Sequence, residues 1–163
     1  MEKEEIIMHL KNAERNLIIA DHLTYKTYPI IKEPKLLVKV AQDIYLSLNT
    51  CMNAILGYDE LYKRIYSLPS DFHSRLRVFK DKCARLHNID IEIVNVIEDL
   101  HNFLKKYKES STTFVRNRDY IVCSNDFKLE TLNYGKIKDY LAKSKVFLTN
   151  ANKVLSYDIR ISR

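Results

Sequence analysis

Apolar side chains recur at alternating spacings of three and four residues along most of this chain, a period that helices satisfy and strands do not. Ile6, Leu10, Ala13, Leu17 and Ala20 form the first stripe and predict an amphipathic helix over about residues 3–27. Pro29 and Pro34 mark a connection, with Pro34 suited to the first turn of the next helix. Leu37, Val40, Ile44, Leu48, Cys51 and Ile55 make a second stripe, which Gly57 is expected to end as the residue after the C-cap. A helix of about 22 residues there would be about 33 Å long. Asp59 is expected to cap a short helix reaching Tyr66. Pro69, Ser70 and Asp71 open a third main helix, with Phe72, Leu76, Phe79, Cys83 and Leu86 facing inward. Asp90 reads as the N-cap of a fourth, with Ile93, Val96, Ile97, Leu100, Leu104 and Tyr107 inward. The hydroxyl run at residues 110–113 ends it, because such side chains compete for backbone hydrogen bonds.

The helical period breaks over residues 113–131. Stretches 114–123 and 127–129 are rich in β-branched and aromatic residues, and Ser124, Asn125 and Asp126 between them read as a turn. The expectation is a small hairpin or extended insertion that must lean on the helices or on another subunit. Thr131 or Asn133 then begins a last helix to about Leu155, with Ile137, Leu141, Leu148, Ala151 and Leu155 on one face. Two glycines and three prolines in 163 residues suit long helices with short joints. The predicted fold is all-α: a single-domain up-and-down bundle of about five helices with a small β-hairpin-like insertion before the last.

No apolar run approaches the ~18 residues needed to span a bilayer. The opening MEKEEIIMHL begins with acids, not the basic region of a signal peptide. Cys51, Cys83 and Cys123 are odd in number and lack metal-like spacing, so reduced thiols in a cytoplasmic protein are expected. The Glu-x-x-His spacing of Glu98 and His101 lacks the second pair and the further glutamates of a di-iron bundle. It reads as a surface pair, and no metal or cofactor is expected. With glycine only at 57 and 135, neither a phosphate-binding loop nor a dinucleotide fingerprint can be built.

The net charge of +6 is uneven: residues 61–87 hold seven basic and two acidic side chains, and residues 134–163 the same. Such segments either form a face that attracts polyanions or a lysine-rich solvated surface. Arg75, Arg77 and Lys80 on the third helix are candidate phosphate contacts. Arg116, Arg118 and Tyr120 in the insertion are a second group, cations for phosphates with an aromatic ring for a base. Against them, Asp119, Asp126 and Glu130 cancel the insertion's charge, and its aromatic residues equally suit anchoring it to the helices.

Asn12-Ala13-Glu14-Arg15 followed by residues 18–23 (IIADHL), and the long second helix with Ala41, Tyr45, Leu48 and Ala54, resemble a HEPN domain. That is the small helical bundle of prokaryotic nucleotide- and RNA-linked systems. The resemblance covers about residues 5–155 and implies a homodimer, RNA or nucleotide as ligand, and a toxin–antitoxin setting or a nucleotidyltransferase-type protein partner. Many members are metal-independent ribonucleases with an Arg-x(4–6)-His motif near the last core helix. No histidine follows His101 here, so Arg116 and Arg118 lack that partner, and Arg85 and His87 are too close together. Arg15 and His22 match the spacing on the first helix, where the family does not carry it. The departure favours a non-catalytic binding protein. The alternatives are a protein–protein or structural dimer module without a nucleic-acid role, and a ribonuclease using Arg15 and His22.

Overall fold

The computed structural model describes the backbone of residues 1–160 and the side chains of residues 1–156. Helix α1 (Lys3–His22) widens into a π turn (Leu23–Thr27) and continues over Tyr28–Ile31, past the break expected at Pro29. Proline lacks an N–H and its ring clashes with the carbonyl four residues back in an α-helix. The wide turn just before it, closed by the Tyr28 N–H on the Leu23 carbonyl, absorbs that misfit. Lys32, in the left-handed region at φ 52°, ends the helix.

Helix α2 (Lys35–Leu61) runs 27 residues, about 40 Å, and passes straight through Gly57. A Cβ on it would stand 2.5 Å from the Met1 sulfur, the movable end of an unbranched side chain that packs there. The stop comes at Lys63, whose φ is 58°. Its N–H donates to the Glu60 carbonyl at 2.9 Å, and the Arg64 N–H donates to the Asp59 carbonyl at 2.8 Å. This is a Schellman closure with lysine where glycine is usual. Asp59 therefore lies in the last turn of α2, and the short helix expected from it to Tyr66 does not form.

Helix α3 (Phe72–Val78) also widens, over Phe79–Cys83, before closing as Ala84–Leu86. The extra residue shifts the inward face by one position. Ala84 is buried while Leu86, expected inward, is exposed. Helix α4 (Ile91–Glu109) begins on Asp90, whose side chain accepts from the Glu92 N–H at 3.0 Å.

Three strands follow, not two: β1 (Thr112–Arg116), β2 (Asp119–Cys123) and β3 (Leu129–Leu132), antiparallel in the order β1-β2-β3. The first turn lies inside the stretch read as one strand. Arg116 pairs with Asp119, and Asn117 and Arg118 between them have φ 50° and 67°. Two left-handed residues in a two-residue loop make the type I′ geometry that matches strand twist. The expected turn at residues 124–126 belongs to the second connection. Helix α5 (Tyr134–Arg160) starts where Asn133 accepts from the Lys136 N–H at 2.8 Å.

The helical bundle thus carries a three-stranded sheet, and all-α describes it only coarsely. Helix α2 sits at its centre, touched by α1, α3, α4 and α5. It buries Val38, Ala41, Met52 and Leu56 as well as the expected stripe. Tyr120 and Val122 of β2 and Leu132 of β3 join the same apolar core as the helices. Among the described residues no helix is long and apolar enough to cross a membrane.

Candidate nucleic-acid interface

The start of α3 is fixed by Asp71, whose carboxylate accepts from the Ser74 N–H at 2.9 Å. From there the helical repeat places His73, Arg77 and Lys80 along one ridge, and all three are exposed. Lys82 within the π turn and Arg85 beyond it extend the basic surface. None of Arg77, Lys80, Lys82 and Arg85 enters an ion pair among the described residues. Arg75 differs from its neighbours. Its Nε donates to the Pro69 carbonyl at 2.6 Å and its Nη1 to Asn53 Oδ1 at 3.4 Å, which ties the α3 entry to α2.

At the upper end of the ridge four rings from three helices meet. Phe72 lies flat on His101, with centroids 3.7 Å apart and planes inclined by 11°. His73 meets the His101 ring edge-on at 5.5 Å. The Tyr45 hydroxyl of α2 and His101 Nδ1 share a hydrogen bond of 2.9 Å. Burial, the nearby His73 and Lys105 hold His101 below the usual imidazole range, against the opposing pull of Glu98. Burial also raises the Tyr45 phenol. In the tautomer with the proton on Nδ1, that proton goes to the Tyr45 oxygen and the Nε2 lone pair is left to accept another. Lys105 and Lys108, one and two turns along α4 from His101, are exposed and unpaired among the described residues. The histidine pair thus sits where the start of α3 meets α4, with Arg77 one turn along α3 and Lys105 one turn along α4.

The insertion's residues fall elsewhere. Arg116 and Arg118 are exposed at the β1–β2 turn without an ion pair among the described residues. Tyr120 is buried at 5 % exposure, its ring 6.2 Å from Tyr107, so it offers no face to a base. Arg15 and His22 are both exposed on α1.

At the lower end of the ridge Arg64, Lys82 and Arg85 line an open pocket of about 590 Å³ over Asp59. Asp59 is 1 % exposed, takes both oxygens to His87 Nε2 at 2.9 and 3.0 Å, and pairs with Arg64 at 3.2 Å. Burial by itself raises this carboxyl. Hydrogen bonds from His87 and the Cys83 thiol, the His87 charge and Arg64 outweigh it, and Asp59 titrates below the ordinary aspartate range. The shifted phase after the α3 π turn is what brings His87 to it. With its floor charge already satisfied, the pocket presents Lys82 and Arg85 to solvent.

Of the residues singled out from sequence, Arg77 and Lys80 share this surface, Arg75 and Tyr120 have structural partners, and Arg116 and Arg118 stand on a separate arm. His73, His101 and Tyr45 were missed as a group. Tyr45 and His101 lie 56 positions apart, and only the hydrophobic stripes of their helices hint that they meet. Among the described residues no three histidine, cysteine or acidic side chains are grouped to hold a metal ion. Comparison with protein-family models, curated proteins and solved structures finds no match to this chain.

Proposed function

We propose that this chain is a non-catalytic, HEPN-like binding protein, homodimeric, that takes RNA or nucleotide phosphates on the α3–α4 surface. The observation that supports it is the run of unpaired cations, Arg77, Lys80, Lys82, Arg85, Lys105 and Lys108, beside stacked rings. Unneutralised cations release counterions from a polyanion, and the exposed His73 ring at the same surface offers a face to a base without sequence preference. Arg116 and Arg118 would add phosphate contacts from the hairpin tip.

Anisotropy of labelled single-stranded RNA tests this across a salt series. The expected result is binding whose logarithmic affinity falls linearly with logarithmic salt. Replacing Arg77 and Lys80 together by alanine should reduce that slope by about 2, roughly one for each cation withdrawn from a phosphate. Affinity and slope unchanged in the double variant would remove α3 from the ligand surface. No binding at low salt would favour the alternative, a protein–protein module.

One observation favours a second reading, metal-independent RNA cleavage. It is the neutral-leaning His101 beside His73, rather than Arg15 and His22. Two imidazoles this close can take the proton of a 2′-hydroxyl and return one to the leaving oxygen, with Lys105 beside the phosphate. Cleavage in the presence of a chelator, lost in His101→Ala with binding retained, would establish it.

A further inference from the structure

Every residue of β1 is exposed, although the strand is the edge of a sheet whose middle strand is buried. Its outer edge is built for pairing. The two-residue turn makes Arg116 and Asp119 a hydrogen-bonded pair, and the antiparallel alternation then turns the backbone groups of Thr112, Phe114 and Arg116 toward β2. The N–H and C=O groups of Thr113 and Val115 point outward, where no described residue meets them. Natural edges are usually blunted by a proline, a bulge or a central lysine. Thr-Thr-Phe-Val-Arg has none of these, and Phe114 and Val115 are 40 % and 52 % exposed.

We infer that this edge pairs with the same edge of a second copy of the chain, antiparallel and centred on Phe114, joining two three-stranded sheets into one. Three features select a second copy. First, a two-fold axis at Phe114 sets Thr113 opposite Val115 of the other copy, so the outward groups of both strands are all used and none is left over. Second, Phe114 then faces its own counterpart across a non-hydrogen-bonded pair, the closer kind, with Cα atoms ~4.5 Å apart and room for an aromatic pair. Third, the strand's one charge, Arg116, comes opposite Thr112, so no like charges meet. The Ser110 hydroxyl, which accepts from the Thr112 N–H and donates to the Cys123 carbonyl, holds the base of the hairpin for this role. The inference rests on the homodimer in the proposed function and is independent of nucleic-acid binding.

A ladder this short is a small interface, so the dimer belongs to the weak class. Sedimentation across a micromolar-to-millimolar series is the test. The wild type should shift from monomer to dimer, and Val115→Pro should lose that shift. Val115→Pro removes an outward N–H and spares the β1–β2 ladder, which an edge tolerates. Phe114→Cys in a Cys123→Ser background should give a disulfide-linked dimer under mild oxidation, and Asn117→Cys in the same background should not. If Val115→Pro fails to fold, the cysteine pair decides. A dimer that persists in folded Val115→Pro and does not cross-link through position 114 would overturn the edge pairing and leave dimerisation to another face. A wild type that stays monomeric throughout would overturn both the pairing and the homodimer.

Discussion

Asp59 is the side chain on which the α2–α3 corner depends. A carboxylate 1 % exposed is tolerated only because His87, Arg64 and the Cys83 thiol supply its hydrogen bonds. Its depressed folded pKa sets the sign of the pH response. The unfolded carboxyl, with a pKa of about 3.9, binds a proton before the folded one does. The stabilisation is complete above that value and is lost as pH falls through the lower folded pKa. Asp59→Asn should cost about 1.5–3 kcal/mol at neutral pH, the worth of hydrogen bonds to a charged group. It should also flatten the acid limb of stability, measured by urea unfolding from about pH 5 down to pH 2. An acid limb as steep as the wild type would show that other carboxyls carry it. Reading Asp59 as a helix cap missed this role because its partner lies 28 positions on and faces it only through the π turn.

At the scale of elements, the errors of sequence reading come from two competing uses of one residue type. Glycine near the end of an apolar stripe signals a helix stop, yet Gly57 continues the helix with Met1 packed against it, and the stop is made at Lys63. The Asn117-Arg118 turn escaped notice in the same way, because the second left-handed position holds arginine and not glycine. Stripes, the cap at Asp90, helix starts near Asp71 and Asn133, and the order of the main helices were legible, since these rest on local spacing and local hydrogen bonds. The π turns were not, for an inserted residue changes phase without changing composition. Two changes near the end of α2 are therefore expected to differ. Lys63→Gly relieves a left-handed lysine and should stabilise by about 0.5–1 kcal/mol. Gly57→Ala sets a helix-propensity gain of about 0.8–1 kcal/mol against the turning aside of the Met1 side chain, and should leave stability within about 1 kcal/mol of the wild type. Thermal unfolding of the two variants checks the pair, and a Gly57→Ala that loses several kcal/mol would show that Met1 does not move aside.

For the whole molecule, the question is whether the sheet is an appendage or part of the fold. Charge segregation on α3 could be read directly from sequence, and Arg77 and Lys80 are exposed there. Tyr45, Phe72, His73 and His101 come together only through packing of α2, α3 and α4 around one core. The same core takes in Tyr120 and Val122, with Ile121 buried beside them, so β2 is a piece of the interior although β1 is exposed. Tyr120→Ala should then cost about 3 kcal/mol, as for other large aromatic truncations in a core. In a domain of this size that lowers Tm by about 6–12 °C. The helical signal and the fluorescence of a dye attached at the hairpin tip through Asn117→Cys, in a Cys123→Ser background, should shift together in one transition, because a shared core leaves no cheap way to release the sheet alone. An appendage would behave differently: the fluorescence change would come early while the helical transition stayed at the wild-type temperature. Coincident curves would also mean that the β1 edge and the α3–α4 surface are presented by a single cooperative body, so that damage to either can be scored against an intact fold by the same melt.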